Sequence, residues 1–241
     1  MNRDDTSLGG APAGFTETLW QSVRRAADSS PALRRRGLEE LCDRYWKPIY
    51  RYIRIAWRKS NEDAKDLTQA FCLWLVEGEA VRKYEADRGS FRAFLKTLIK
   101  HFVLHQEEAL HRLKRGGGVA IHALENVDAP EVSAGLDPDR EFDASWRVEI
   151  LSRAVAAVRR RFQEDGRDLK FRVFEAYDLG SAAGTPTYAE LGERFGVKPT
   201  DVQNYLASVR EEVRTEIRRE LAETTSSREE LEEEWNAFFT S

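Results

Sequence analysis

The segment FRAFLKTLIKHFVLHQEEALHRLKR, residues 91–115, stops on Gly116-Gly117-Gly118 and constrains this chain more than any other stretch. At 3.6 residues per turn, Phe91, Phe94, Leu95, Leu98, Ile99, Phe102 and Val103 line one side of a helix. The other side carries Arg92, Lys96, Lys100, Arg112, Lys114 and Arg115 against only Glu107 and Glu108, with His101, His105 and His111 among them. Such a segment has to bury one face of a long helix and leave a cationic ridge on the other. A polyphosphate backbone favours that ridge, although a solvated helix with a basic tail gives the same pattern.

Charge decides how the ridge has to work. The whole chain carries a net charge of −4, so nucleic-acid binding cannot come from bulk charge. It requires that an acidic chain hold one positive ridge apart from its own carboxylates. Hydrophobic residues at 41% allow a core, and charged residues at 33% imply a heavily charged surface. Cys42 and Cys72 are distant in sequence and lack paired spacing, which reads as buried thiols in a reducing cytosol rather than a disulfide or metal site. No basic-then-apolar leader opens the chain, and no apolar run approaches the ~20 residues that span a bilayer. The expectation is a soluble cytoplasmic protein without membrane insertion.

Helical periodicity dominates the first half. Residues 1–14 read as a loose polar leader. Ser30-Pro31 is a helix start, after which Leu33, Leu38, Leu41, Cys42, Tyr45 and Trp46 point mainly inward. Lys47-Pro48 should kink or restart that helix. Asn61 is the expected cap of EDAKDLTQAFCLWLVE, whose acidic first turn suits the helix dipole. The stretch 116–140, with its glycines, prolines and acidic residues, reads as a flexible linker. Helices are expected again over Glu141–Phe162, Asp168–Leu179, Tyr188–Phe195, Thr200–Leu221 and Arg228–Phe239. The fold class is all-α: a first helical domain over 15–115, a second over 141–222, and an amphipathic extension over 223–241.

Within the second domain, TYAELGERFGVKPTDVQNYLASVREEV has the pattern of a helix-turn-helix. Thr187 caps a short helix, Ala189 allows close helix contact, and Leu191 and Phe195 face inward. Gly196 supplies the left-handed turn, which Val197 plugs. The second helix would present Thr200, Gln203, Asn204 and Ser208 to a major groove, with Lys198, Arg210 and Arg214 suited to phosphates. The stretch 200–220 nevertheless carries five acidic residues against four arginines. Counterion release favours a more basic helix, so this module alone should bind DNA weakly. A helical hairpin that merely packs has the same signature.

The order and spacing of EDAKDLTQAF (62–71), RGSFRAFLKTLIKHF (88–102), KRGGG (114–118) and TYAELGERFGV (187–197) resemble the extracytoplasmic-function sigma factors of bacterial RNA polymerase. The chain looks closest to the sigma-like groups of planctomycetes, which share an opening like Leu19-Trp20 and an acidic-aromatic tail. The resemblance implies that Asp63, Asp66, Leu67, Gln69 and Phe71 lie on the surface that grips core polymerase. It implies that Arg92, Lys96, Lys100, His101, His105, Arg112, Lys114 and Arg115 handle the opened −10 promoter strand. It gives Lys198, Thr200, Gln203, Asn204, Ser208, Arg210 and Arg214 to the −35 element. Core RNA polymerase, promoter DNA and an anti-sigma or other inhibitory protein are the implied partners.

This chain departs from the family pattern in several places. It has Gln69-Ala70-Phe71-Cys72 followed by Trp74, has Glu107, Ala109 and His111 after the basic helix, and has Gln203, Asn204, Tyr205 and Ser208 where relatives usually carry Lys and Arg. The alternative implied by these losses is a sigma-derived regulator acting mainly through protein partners. Catalysis is not expected: HFVLH at 101–105 lacks a metalloprotease glutamate, the glycines at 116–118 follow a helix without a Lys-Ser/Thr pair, and no GxSxG occurs. No metal or other cofactor is expected.

Overall fold

The computed structural model describes residues 25–85, 89–116, 136–180 and 184–240, with side chains from 110 to 116 outside the description. Leu19-Trp20, the leader 1–14 and all but the ends of the expected linker therefore lie outside the described residues. Among the described residues the structure is helical and contains no strand. The helices are α1 (Pro31–Ala56), α2 (Asn61–Glu77), α3 (Phe91–Gly116), α4 (Pro138–Glu164), α5 (Asp168–Asp178), α6 (Tyr188–Phe195), α7 (Pro199–Ala222) and α8 (Arg228–Phe239), with a short 3₁₀ turn at Ala80–Lys83.

Each helix follows from its apolar spacing, with instructive exceptions. α1 buries Leu38, Leu41, Tyr45, Ile49, Tyr52 and Ile53 at three- and four-residue intervals. Of the kink or restart expected at Lys47-Pro48, no restart occurs: the helix runs on through Pro48, which is itself buried in the packed face. Leu33 and Trp46, which periodicity points inward, are exposed. The cap of α2 is Ser60 rather than Asn61: its side chain accepts the Asp63 backbone N–H at 3.1 Å. Asn61 instead accepts a hydrogen bond from the Tyr50 hydroxyl at 2.6 Å, tying α2 to α1. On α3, Phe91, Leu95, Ile99, Phe102 and Val103 are buried, while Phe94 and Leu98 pack half-buried against the same core. The apolar stripe read from the sequence is thus the packed face.

α4 is the spine of the molecule. Its C-terminal half sends Ala154, Val158 and Phe162 into a core shared with Phe171 and Phe174 of α5 and Val202, Leu206, Val209 and Val213 of α7. Its N-terminal half reaches the other way. Phe142 is fully buried, stacked 6.3 Å from Tyr45 and edge-on to Tyr52 at 5.9 Å, both on α1. Tyr45 in turn meets Phe91 of α3 edge-on at 5.9 Å. The buried residues of α1–α3 and of α5–α7 therefore join in one continuous cluster through α4. Ion pairs rim the seam: Lys47–Glu149 at 2.7 Å, Arg153–Asp43 at 2.8 Å, and Arg44 with Glu220. α8 folds back onto this seam, burying Leu231 and setting Phe238 edge-on to Trp146 of α4 at 6.0 Å.

Cys42 and Cys72 are both unbridged, and the α1–α2 packing brings them together, with the Cys42 thiol 3.8 Å from the Cys72 carbonyl oxygen. Contact with Cys72 and burial push the Cys42 thiol up, the direction of an inert sulfur.

Phe142 carries the seam, so its removal should be felt globally. Phe142→Ala is expected to destabilise the fold by about 3–5 kcal/mol, the usual range for a buried aromatic truncation, read as a lower midpoint in urea unfolding.

Candidate functional site

Three surfaces bear the residues singled out by sequence. The first is the outer side of α2. Asp63, Asp66 and Gln69 are exposed there, and Leu67 is half-buried against the core. Asp63 also accepts the Ser60 hydroxyl at 2.8 Å, so its carboxylate is held at the helix start. Phe71 does not belong to this surface. It is fully buried, 5.7 Å from Trp74 and 5.5 Å from Phe102 between ring centroids, and it anchors α2 on α3. The spacing that makes Asp66 and Gln69 neighbours turns Phe71 to the opposite side. Leu73 and Trp74 are exposed beside Gln69 and Ala70, giving the acidic face an apolar edge.

The second surface is the cationic side of α3, where the structure corrects the sequence reading. Arg92, Lys96 and Lys100 are not held apart from carboxylates. Arg92 binds Asp143 of α4 at 2.8 Å and Glu234 of α8 at 3.0 Å, and lies 4.0 Å above the Trp146 ring. Lys96 meets Asp143 at 3.1 Å and Asp139 at 3.5 Å. Lys100 lies 3.9 Å from Asp139. Cations four residues apart on α3 thus face carboxylates four residues apart on α4, running in opposite directions like rungs of a ladder.

Burial grades the ladder from one end to the other. The Arg92 side chain is 13% exposed and Glu234 10%, whereas Lys100 is 52% exposed. Burial pulls the Arg92 guanidinium down, but Glu234 and Asp143 outweigh it and leave it above its ordinary value. The Tyr52 hydroxyl, and more weakly Asp139, raise the Lys100 ammonium. His101 and His105 are exposed, with rings stacked 6.3 Å apart. The side chains of His111, Arg112, Lys114 and Arg115 lie outside the described residues.

Asp139, Asp143 and Glu234 were not legible as site residues. Asp139 falls in a stretch that composition marks as linker, and Glu234 in an acidic tail. The available signal was spacing: carboxylates at i and i+4 on one helix match cations at i and i+4 on another.

The third surface is the pair α6–α7. Thr187 and Glu190 form a reciprocal capping box at the start of α6, and the backbone bond from Thr187 draws the Glu190 carboxyl below its usual range. Gly196 has φ 68°, the left-handed cap expected there. Ala189 faces outward, and the close approach is made by Gly192 instead. A Cβ on Gly192 would stand 2.8 Å from the Val197 carbonyl oxygen. Val197 donates its N–H to the Gly192 carbonyl at 3.0 Å and closes the turn. Lys198, Thr200, Gln203 and Asn204 are exposed along the outer side of α7, with Ser208 half-buried. The arginines behind them are engaged: Arg210 is bidentate to Asp178 at 2.8 and 3.0 Å, and Arg214 lies 3.8 Å from Glu211. This is a tight helix-turn-helix with a polar recognition helix.

An all-helical chain with a basic, aromatic-packed helix and a capped helix-turn-helix has the organisation of a transcription factor. The family model of the ECF sigma factor matches residues 38–219, well over half of the chain. The chain belongs to the ECF sigma factor family, whose role is transcription initiation. No curated protein and no solved structure matches it. Among the described residues, no helix is long and apolar enough to cross a membrane, and no group of three His, Cys, Asp or Glu could hold a metal ion.

The gradient of burial along the ladder sets its energetics. Arg92→Met should destabilise the fold by about 3 kcal/mol, because it strands Asp143 and Glu234 without their cation. Lys100→Met, on an exposed pair, should cost less than about 1 kcal/mol. Paired urea titrations check both, and equal losses would contradict the gradient.

Proposed function

We propose that this chain directs promoter-specific initiation by docking on core RNA polymerase through α2 and engaging promoter DNA through α3 and α7. The observation that carries this reading is the capped α6–α7 turn, which turns Thr200, Gln203 and Asn204 outward on the first turns of α7. Amide side chains there suit adenine edges, and Lys198, Arg210 and Arg214 suit the flanking phosphates of a −35 element. Asp63, Asp66, Leu67 and Gln69 would meet basic and polar groups of the polymerase, with Leu73 and Trp74 adding apolar contact. Arg92, Lys96, Lys100, His101, His105, Arg112, Lys114 and Arg115 would handle the opened −10 strand by charge and stacking. Two weak DNA contacts become strong once polymerase holds both, because tethering raises their effective concentration. The chain would act in the cytoplasm, without chemistry of its own, and under an anti-sigma or other inhibitory protein.

A second reading follows from the engaged cations. With Arg92, Lys96 and Arg210 already paired, the chain would act mainly through protein partners as a sigma-derived regulator.

Two assays separate these readings. The chain should retain core polymerase in a low-salt pull-down, and Asp66→Ala with Gln69→Ala should weaken retention by about tenfold, on the order of 1.4 kcal/mol. Run-off transcription from a promoter library should then yield discrete transcripts. Retention without any transcript would favour the second reading, and an empty pull-down would sink both.

A further inference from the structure

We propose that the free chain keeps its −10 ridge closed with its own carboxylates, Asp139 and Asp143 of α4 and Glu234 of α8 standing where promoter phosphates would sit. The proposal rests on the reading of α3 as the −10 surface and adds how that surface is regulated.

Register, charge balance and apolar seating support it. The ladder is matched in register: Arg92 pairs with Asp143, Lys96 with both Asp143 and Asp139, and Lys100 with Asp139. Three cations against three carboxylates, with Glu234 closing on Arg92, leave the described part of the ridge electrically balanced. The carboxylates are also seated by apolar contacts of the same two helices. Phe142 lies beside Asp143 in sequence and is buried against Tyr45 and Tyr52, and Phe238 of α8 rests on Trp146.

The cover has marks of an element that can leave. Most of α8 is polar, Leu231 is its one fully buried apolar side chain, and Phe239 at its end is 56% exposed. Both Glu234 carboxylate oxygens lie 3.0 Å from Arg92 Nη2, whereas the buried Arg92 Nε has no hydrogen bond, so Arg92 is not fully satisfied at this end of the ladder. A polyanion offering more acceptors than three carboxylates can therefore compete for the same cations. The α2 side chains Asp66 and Gln69 stay exposed while the ridge is covered.

The test uses the full chain carrying Asp143→Asn and Glu234→Gln, isosteric changes that remove charge and leave Phe142 and Leu231 in place. Asp139→Asn, at a half-exposed position, serves as a milder variant should the double change unfold the protein. Two readouts are needed. Amine acetylation followed by mass spectrometry reports the exposure of Lys96, with Lys65 of α2 as an internal reference. Fluorescence anisotropy with an A/T-rich single-stranded oligonucleotide reports strand binding.

Relative to the parent chain, Lys96 acetylation should rise severalfold with Lys65 unchanged. The oligonucleotide should bind about tenfold tighter, with a salt slope steeper by roughly 1, because Arg92 loses both of its carboxylates and Lys96 one of its two. Unchanged Lys96 acetylation in both variants, or a parent chain that binds the strand as tightly as they do, would overturn the closed ridge. Raised acetylation without strand binding would uphold the closed ridge and overturn the −10 reading of α3.

Discussion

The seating of the first turns of α4 against α1 and α3 is the contact on which the rest of this structure depends. It has an apolar part, Phe142 between Tyr45 and Tyr52, and a charged part, the ladder from Arg92 to Lys100 against Asp139 and Asp143. The two parts do different things. Burial of Phe142 supplies the favourable free energy, since removing aromatic surface from water is worth several kcal/mol. Desolvating Arg92 and its partners offsets much of their mutual attraction, so the ladder adds less net stability than its short distances suggest. Because α4 also forms the core with α5 and α7, this one seat fixes how the helix-turn-helix is carried relative to α2 and α3.

The negative charge is not spread evenly. Part of it faces the cations of α3, and Asp178 does the same for Arg210 of α7. The exposed part of α2 keeps Asp63, Asp66 and Gln69 beside Leu73 and Trp74. The ECF sigma factor family supplies the transcriptional role, and this distribution of charge describes the form in which the free chain holds it.

What the sequence could reveal was whatever is encoded within a turn or two of helix. The apolar stripe of α3, the bounds of α6 and α8, the Thr187 cap and the left-handed Gly196 are all local patterns, and each appears where its spacing puts it. Errors begin where a competing neighbour decides. Ser60 rather than Asn61 caps α2, and Asn61 is engaged by Tyr50 instead. Phe71 looked like a surface contact by position in its motif, yet its partners Trp74 and Phe102 bury it. The greatest miss was the ladder. Its halves lie on separate helices on either side of the stretch 117–135, and α8 adds Glu234 from further still. No windowed reading of charge links Arg92 to a residue 142 positions away.

The most direct measurement is a double-mutant cycle on the unfolding free energy, using Lys96→Met, Asp143→Asn and the pair. If the ladder is a real interaction in the free chain, the two changes should couple by about 1 kcal/mol or more. Additivity within roughly 0.3 kcal/mol, the behaviour of residues that do not touch, would mean that α4 does not hold the ridge closed.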